Sequence, residues 1–403
     1  MISNLPDDII AHILSFLPMK DAIRTSVLAQ RWIYMWTYLT DLCFGDKATI
    51  YSQDKINKTT FINFVYTMLL HLNTLNINKF SLSLSEKYDP YIINNWISFA
   101  LNRKVKEISV RSIQECNISC YPIFKCQSLQ NLVLNMNHST IQFPSFVCLS
   151  SLTVLSLVAM KITCCSSDQS KKLKLKFPVL REYTSFDCIW LGVKHVTIEA
   201  PLLEKVNIFR HWYTTFNMSQ AVIEIRASYI TNYSYMSYIS SETILLDVAH
   251  VAEASICLTN SKVQMSEQQM KICVLKLFNL KNLKCLRLIY GLESMKYYLA
   301  DIPAVRMLGY LHIHCSVSIE ILLALLLKSP CLETLVLKAI DSYTELPSFS
   351  IVPECFLSTL KVVLESISFS CYKLSEAEIE KVKEKTFLFK RSFNIEFSAH
   401  SVT

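Results

Sequence analysis

The side chains best suited to chemistry in this sequence are histidines and cysteines, and their spacing decides what they can do. His312, His314 and Cys315 form the densest metal-like cluster. Zinc needs ligands converging on one point. On an extended strand residues 312 and 314 share a face while 315 points the other way, so the three read as surface side chains. Cys116 and Cys120 stand four apart and Cys164 and Cys165 are adjacent, so neither pair makes a C-x-x-C knuckle. Cys371 and the other thiols become nucleophiles only beside a base. No H-E-x-x-H helix and no G-x-S-x-G elbow occurs. Gly45, Gly192, Gly291 and Gly309 are the only four glycines in 403 residues, and each is isolated. Phosphate-cradling loops need several glycines at fixed offsets, because only a residue without Cβ lets the backbone close on the ligand. P-loop, dinucleotide and kinase-loop chemistry are thereby excluded. The sequence offers no catalytic residue, no metal set and no cofactor site.

Composition narrows the class further. Hydrophobic residues are 51% and charged residues 18% of the chain, enough apolar matter for a large core. Fifteen cysteines, an odd number behind an N-terminus (MISNLPDD) without a basic leader region, read as free thiols of a reducing compartment. The longest apolar run, IEILLALLL, spans residues 319–327 and contains Glu320; a bilayer crossing takes roughly 20 apolar residues. The expectation is a soluble protein of cytoplasm or nucleus, without a membrane partner. Net charge is +7. The dense basic stretch, SKKLKLKF at 170–177, alternates lysine with apolar residues and reads as an edge strand or the approach to one. A nucleic-acid surface would need further basic clusters with stacking aromatics, so nucleic acid is not an expected partner.

With catalysis set aside, the elements themselves become informative. Residues 1–45 read as helical. In DDIIAHILSFLP, Ile9, Ile10, Ile13, Leu14, Phe16 and Leu17 crowd nearly two apolar stripes onto one short helix, whereas a surface helix needs one. Pro6 suits the first turn, Asp7 and Asp8 complement the helix dipole, and Pro18 stops the helix. A second helix is predicted over KDAIRTSVLAQ with Asp21 as N-cap, and a third over RWIYMWTYL. Three short helices cannot cover all of this apolar surface, and a unit of about 40 residues is at the limit of folding alone.

Residues 46–128 form a transition: a helix at 61–72, a strand at 79–85, a helix led by Pro90 and a strand at 105–110. From 129 to 350 a spaced pattern recurs. LQNLVL, LTVLSL, LLEKVNI, LKCLRL, LGYLHI and LETLVL loosely fit Leu-x-x-Leu-x-Leu, with central positions 132, 155, 206, 286, 311 and 335. Tyr183 supplies a weaker member, AVIEIRA and SETILLDV weaker ones still, and LSTLKV at 357–362 a last copy. Steps of 23 to 28 residues are those of leucine-rich repeats, in which each unit gives one strand and leucines point inward. Return helices are predicted at 266–278 and 318–330. The fold class is therefore α/β: N-terminal helices, then an irregular solenoid with a curved parallel sheet whose outward positions are available to partners.

The first 45 residues resemble an F-box of the kind found in plant F-box proteins with leucine-rich repeats. The shared marks are Leu5-Pro6, the acidic pair, Ile13-Leu14, Leu17-Pro18, Lys20-Asp21-Ala22, Arg24 to Leu28 and Arg31-Trp32. Ala29-Gln30 depart from the usual Ser-Lys pair. WISFALNRKVKEISV is similar to the stretch that begins the repeats in that group, and residues 351–403 resemble, in divergent form, the FBD segment that closes many members. The resemblance implies a non-catalytic, substrate-recognition adaptor of an SCF-type E3 ubiquitin ligase. Its F-box would dock to a Skp-type linker, and through it to cullin and RING subunits, while the repeats bind an unknown protein substrate. By the same analogy Leu5, Pro6, Ile9, Ile13, Leu17, Pro18, Val27, Leu28 and Trp32 are the expected linker face. A non-degradative interaction scaffold, or a relic without ligase activity, is the alternative.

Overall fold

A computed structural model describes residues 5–17, 19–47, 57–165, 172–209, 221–238, 243–246, 251–259, 282–289, 304–314, 319–339, 361–366 and 395–396. The chain divides into two units: residues 1–203 with 216–227 and 242–246, and residues 204–215, 228–241 and 247–403.

The first unit opens with α1 (Asp7–Ser15), entered from Pro6, whose φ of −56° and ψ of 150° place it just outside the helix. Its C-terminal turn closes through the Phe16 N–H donating to the Ile13 carbonyl and the Leu17 N–H donating to the Leu14 carbonyl. α2 (Met19–Arg24) lasts only six residues. The two long helices expected over 20–39 are not formed. Thr25–Val27, Gln30–Trp32 and Met35–Tyr38 are separate 3₁₀ turns. Two breaks cause this. Ala29 is extended (φ −163°, ψ 154°), and Tyr34 (φ −114°, ψ 3°) interrupts the last stretch. Thr25 also turns its hydroxyl back to the Ala22 carbonyl at 2.6 Å. β-branched and aromatic side chains crowd an α-turn, and the tighter 3₁₀ turn is the usual short substitute. Asp21, expected as an N-cap, instead sits inside the first turn of α2 and pairs with Arg24 at 3.0 Å.

The chain then enters a parallel sheet directly. β1 (Asp41–Gly45) pairs with β2 (Lys79–Leu84), β2 with β3 (Glu107–Ser112) and β3 with β4 (Asn131–Phe143). The sheet continues through β6 (Val154–Cys164) to β8 (Glu182–Phe186), while β9 (Ile189–Trp190) pairs with the far end of β6. The crossovers α3 (Lys58–His71) and α4 (Pro90–Asn102) begin at side-chain caps. Asn57 Oδ1 accepts from the Thr59 N–H at 2.9 Å, and Asp89 Oδ1 accepts from the Tyr91 N–H at 2.8 Å. In register, Leu42, Phe80, Ile108, Leu132, Leu155 and Tyr183 form one buried rung across the strands. Each unit thus buries its apolar row only against its neighbours.

A second parallel sheet runs in the order β14 (Thr243–Leu246), β12 (Val222–Arg226), β10 (His195–Glu199), β7 (Lys172–Lys176) and β5 (Phe146–Cys148). Two expectations change here. AVIEIRA and SETILLDV, read as weak repeats, are strands of this second sheet. The lysine strand β7 is not an edge, because it pairs with β10 on one side and β5 on the other.

In the second unit β11 (Lys205–Phe209), β13 (Asn232–Tyr238), β15 (Glu253–Thr259), β16 (Cys285–Ile289), β17 (Tyr310–His314), β18 (Thr334–Ala339), β19 (Lys361–Ser366) and β20 (Ile395–Glu396) pair successively in parallel. Four carry the recognised repeat positions 206, 286, 311 and 335. β13 and β15 escape the leucine pattern, because Tyr233 and Ala254 replace leucine at the buried rung. α5 (Ile319–Lys328) lies within the predicted 318–330 helix. The predicted helix at 266–278 is outside the described residues, as is the 351–403 segment apart from β19 and β20.

Candidate docking surface

The two apolar stripes of α1 go to different places. Ile10 and Leu14, four residues apart, are fully buried. Ile9 is 46% exposed, Ile13 37% and Phe16 74%; their spacing of four and three residues puts them on one other face. Leu17 continues this surface just past the helix, half out in solvent. From the turns that follow, Val27 is 87% and Leu28 68% exposed. Scattered surface leucines are ordinary, but an apolar helix stripe accompanied by bare Val and Leu is a candidate interaction site.

Of the expected linker-face residues, Ile9, Ile13, Leu17, Val27 and Leu28 stand exposed, Pro6 is exposed and Leu5 half-buried. Pro18 lies outside the described residues. Trp32 is placed differently: at 5% exposure its ring is packed inside, and its indole Nε1 has no hydrogen-bond partner among the described residues. Residues the expectation left out are Phe16, Ile33, Tyr34 and Tyr38, all exposed. The position of Phe16, seven residues after Ile9, was a readable signal. The tyrosines were not readable, since 3₁₀ turns redistribute the faces of a segment taken as α-helix.

Two sets of polar contacts hold this surface in place. Asp7, opening α1, accepts from Arg31 Nη2 at 2.6 Å and Nε at 2.9 Å, bracing the helix against the 3₁₀ turn of Trp32. Both side chains are well exposed, so this brace contributes little stability. The exit from the region is tied more firmly. Asn73 donates its backbone N–H to the Thr37 carbonyl and its Nδ2 to the Thr37 hydroxyl, at 3.0 and 3.1 Å. Asn78 repeats the pattern on Thr40 at 2.9 and 3.0 Å. Asp46, immediately after β1, is 2% exposed and accepts from the Ser85 and Glu86 N–H groups and the Tyr88 hydroxyl. Burial, then the Asp46 charge, push the Tyr88 hydroxyl far above its ordinary pKa.

The outward rows of the sheets form a second candidate surface. In the first unit Cys43, Ser81, Ser109, Val133, Ser156 and Thr184 lie in register between buried rungs. In the second unit Arg287 and half-buried His312 occupy such a row. Cys315 is outside the described residues. Among the described residues no cluster of three or more His, Cys, Asp or Glu could hold a metal ion, and every cysteine is a free thiol. Burial raises the pKa of Cys116 to about 11 and of Cys120 to about 12, which removes thiolate character. No helix among the described residues is long and apolar enough to cross a membrane.

Residues 2–41 match the F-box domain family. The parallel-strand solenoid that follows gives the chain N-terminal F-box helices joined to a leucine-rich-repeat type of α/β fold. The relatives agree. An F-box/FBD/LRR-repeat protein of Arabidopsis thaliana is 26% identical over 379 residues, 90% of this chain and 80% of the relative. An FBD-associated F-box protein of the same plant is 30% identical over 212 residues, 51% of this chain and 50% of the relative. An Arabidopsis F-box/LRR-repeat protein is 37% identical over 111 residues, 27% of this chain and 29% of the relative. The chain thus spans half or less of the length of several curated relatives that it matches.

Proposed function

We propose that this chain is a substrate-recognition adaptor of an SCF-type cullin–RING E3 ubiquitin ligase. The observation that carries the reading is the outer stripe of α1: Ile9, Ile13 and Phe16 are exposed beside bare Leu17, Val27 and Leu28, although Ile10 and Leu14 already satisfy the helix's own packing. Fully burying each such side chain contributes about 1.5–3 kcal/mol, and another polypeptide is the natural cover. The F-box match supports a Skp-type linker as that polypeptide, with cullin and RING subunits reached through it. The outward rows of the parallel sheets would hold the protein substrate. Covalent chemistry would reside in other subunits, and this chain would supply proximity, raising the effective concentration of substrate lysines near the charged enzyme.

Co-expression with a Skp-type linker tests the reading. A stable complex that is lost in Ile9→Asp/Val27→Asp, together with ubiquitination of a bound protein that needs the same residues, supports it. Binding to the linker without any dependent ubiquitination would instead make the chain a scaffold.

A further inference from the structure

The outer face of the second sheet carries a charge pattern that the adaptor reading does not use. Its inner face is uniformly apolar and buried: Val147, Leu173, Leu175, Val196, Ile198, Ile223 and Ile225. On the outer face, Lys172, Lys174 and Lys176 project from β7 and Arg226 from β12. Two carboxylates stand among them, and both are engaged. Glu199 takes Lys174 Nζ at 2.9 Å and Arg226 Nη1 at 3.5 Å, while Glu224 takes Arg226 Nε at 2.8 Å and His195 Nε2 at 3.4 Å. These contacts hold both carboxyl groups below the usual carboxylate range, hydrogen bonding from Lys174 and from Arg226 being the leading cause. Lys172 and Lys176 are exposed and make no ion pair among the described residues. Phe146, 55% exposed on β5, lies in register with Lys174.

We infer that this face binds an extended acidic peptide with carboxylates at alternate positions. The spacing argues for it. Lysines two residues apart on a strand repeat at roughly 6.6 Å, and so do the same-face side chains of any extended peptide laid along β7. Carboxylates on alternate residues then meet Lys172, Lys174 and Lys176 in step, and Phe146 flanks the Lys174 position from the neighbouring strand, where the stem of a bound side chain can rest on its ring. A nucleic acid fits less well. Phe146 is the one exposed aromatic on this face among the described residues, too few for a run of stacked bases. Attraction across such an exposed face falls with ionic strength.

The test uses the full chain and a fluorescein-labelled ten-residue peptide of alternating Glu and Val, followed by anisotropy at low and physiological salt. Saturable, salt-sensitive binding is expected. Lys172→Gln/Lys176→Gln should weaken it about fivefold or more, whereas Glu199→Gln, which releases Lys174 and Arg226, should tighten it. These opposite directions on one exposed face separate charge recognition from misfolding, and an unchanged melting curve checks the fold. No saturable binding of the peptide, the same response in both variants, or tighter binding of a single-stranded oligonucleotide of equal charge would each overturn the inference. None of these outcomes touches the F-box surface, so the inference stands or falls independently of linker docking.

Discussion

The Tyr88 hydroxyl donates to the Asp46 Oδ2 at 3.0 Å in a site where both side chains are almost wholly buried. The same carboxylate receives the Ser85 N–H at 2.8 Å and the Glu86 N–H at 3.0 Å. One acid at the end of the first strand therefore fixes the loop after the second, and with it the junction between the F-box and the repeats. Tyr88 is in turn enclosed by the rings of Phe61 and Trp96, with centroids 5.7 and 6.2 Å away.

Asp46→Ala is expected to destabilise the protein by about 3 kcal/mol, because the buried Tyr88 hydroxyl and the part-buried Ser85 and Glu86 N–H groups lose their acceptor together. Urea unfolding measures this directly. Tyr88→Phe, which removes one donor and keeps the ring, should cost only about 1 kcal/mol. Equal costs for the two substitutions would show that the carboxylate is not the organising group.

The faces of α1 make opposite predictions. Leu14→Ala, at a fully buried position, should lower stability by about 2–5 kcal/mol. Ile9→Asp, on the exposed stripe, should leave stability within about 0.5 kcal/mol of the parent yet abolish linker binding. Thermal melts and a co-purification assay, run on both variants, separate the effects.

The repeat rungs give a similar contrast. Leu132→Ala removes a fully buried member of the rung that runs from Leu42 to Tyr183 and should cost about 2–5 kcal/mol. Ser156→Ala, on the outward row one residue from Leu155, should be close to neutral in unfolding.

Alkaline pH should weaken the fold through its buried thiols. In the unfolded chain a cysteine ionises near 8.5, whereas burial keeps Cys120 protonated up to about 12 and Cys116 up to about 11. The folded state then holds more protons than the unfolded state above about pH 8.5, so stability falls as pH rises from there. This contribution is fully present below that pH. Urea midpoints at pH 7 and pH 10 should differ in this sense, and Cys120→Ala should reduce the difference. Rapid labelling of Cys120 by a thiol reagent in the native state would contradict the burial on which the argument rests.

Legibility in the sequence followed the strength of local patterns. The double stripe of α1 was visible, because six large apolar residues in nine cannot all point inward from a single short helix. The strand rungs at 132, 155, 286, 311 and 335 were visible through their leucines. β13 and β15 were hidden because Tyr233 and Ala254 fill the same buried rung with different volumes. The second sheet was hidden for another reason. Its strands alternate apolar and polar residues as the repeat strands do, and one sequence does not say which of two parallel sheets a strand joins. Trp32 illustrates the limit at the docking surface. The family resemblance placed it on the partner face, but the extended Ala29 and the 3₁₀ turn that follows rotate its ring into the core.

The exposed stripe of α1 is the centre of this account, and its affinity for a Skp-type linker is the measurement that tests it most directly. Titrating purified linker against the full chain by calorimetry should give a 1:1 complex with a negative heat-capacity change, the mark of buried apolar surface. Ile9→Asp/Val27→Asp should bind at least about a hundredfold more weakly while melting at the parent temperature. A parent chain that ignores every linker offered, or a variant that binds as tightly as the parent, would contradict the docking role assigned to that stripe.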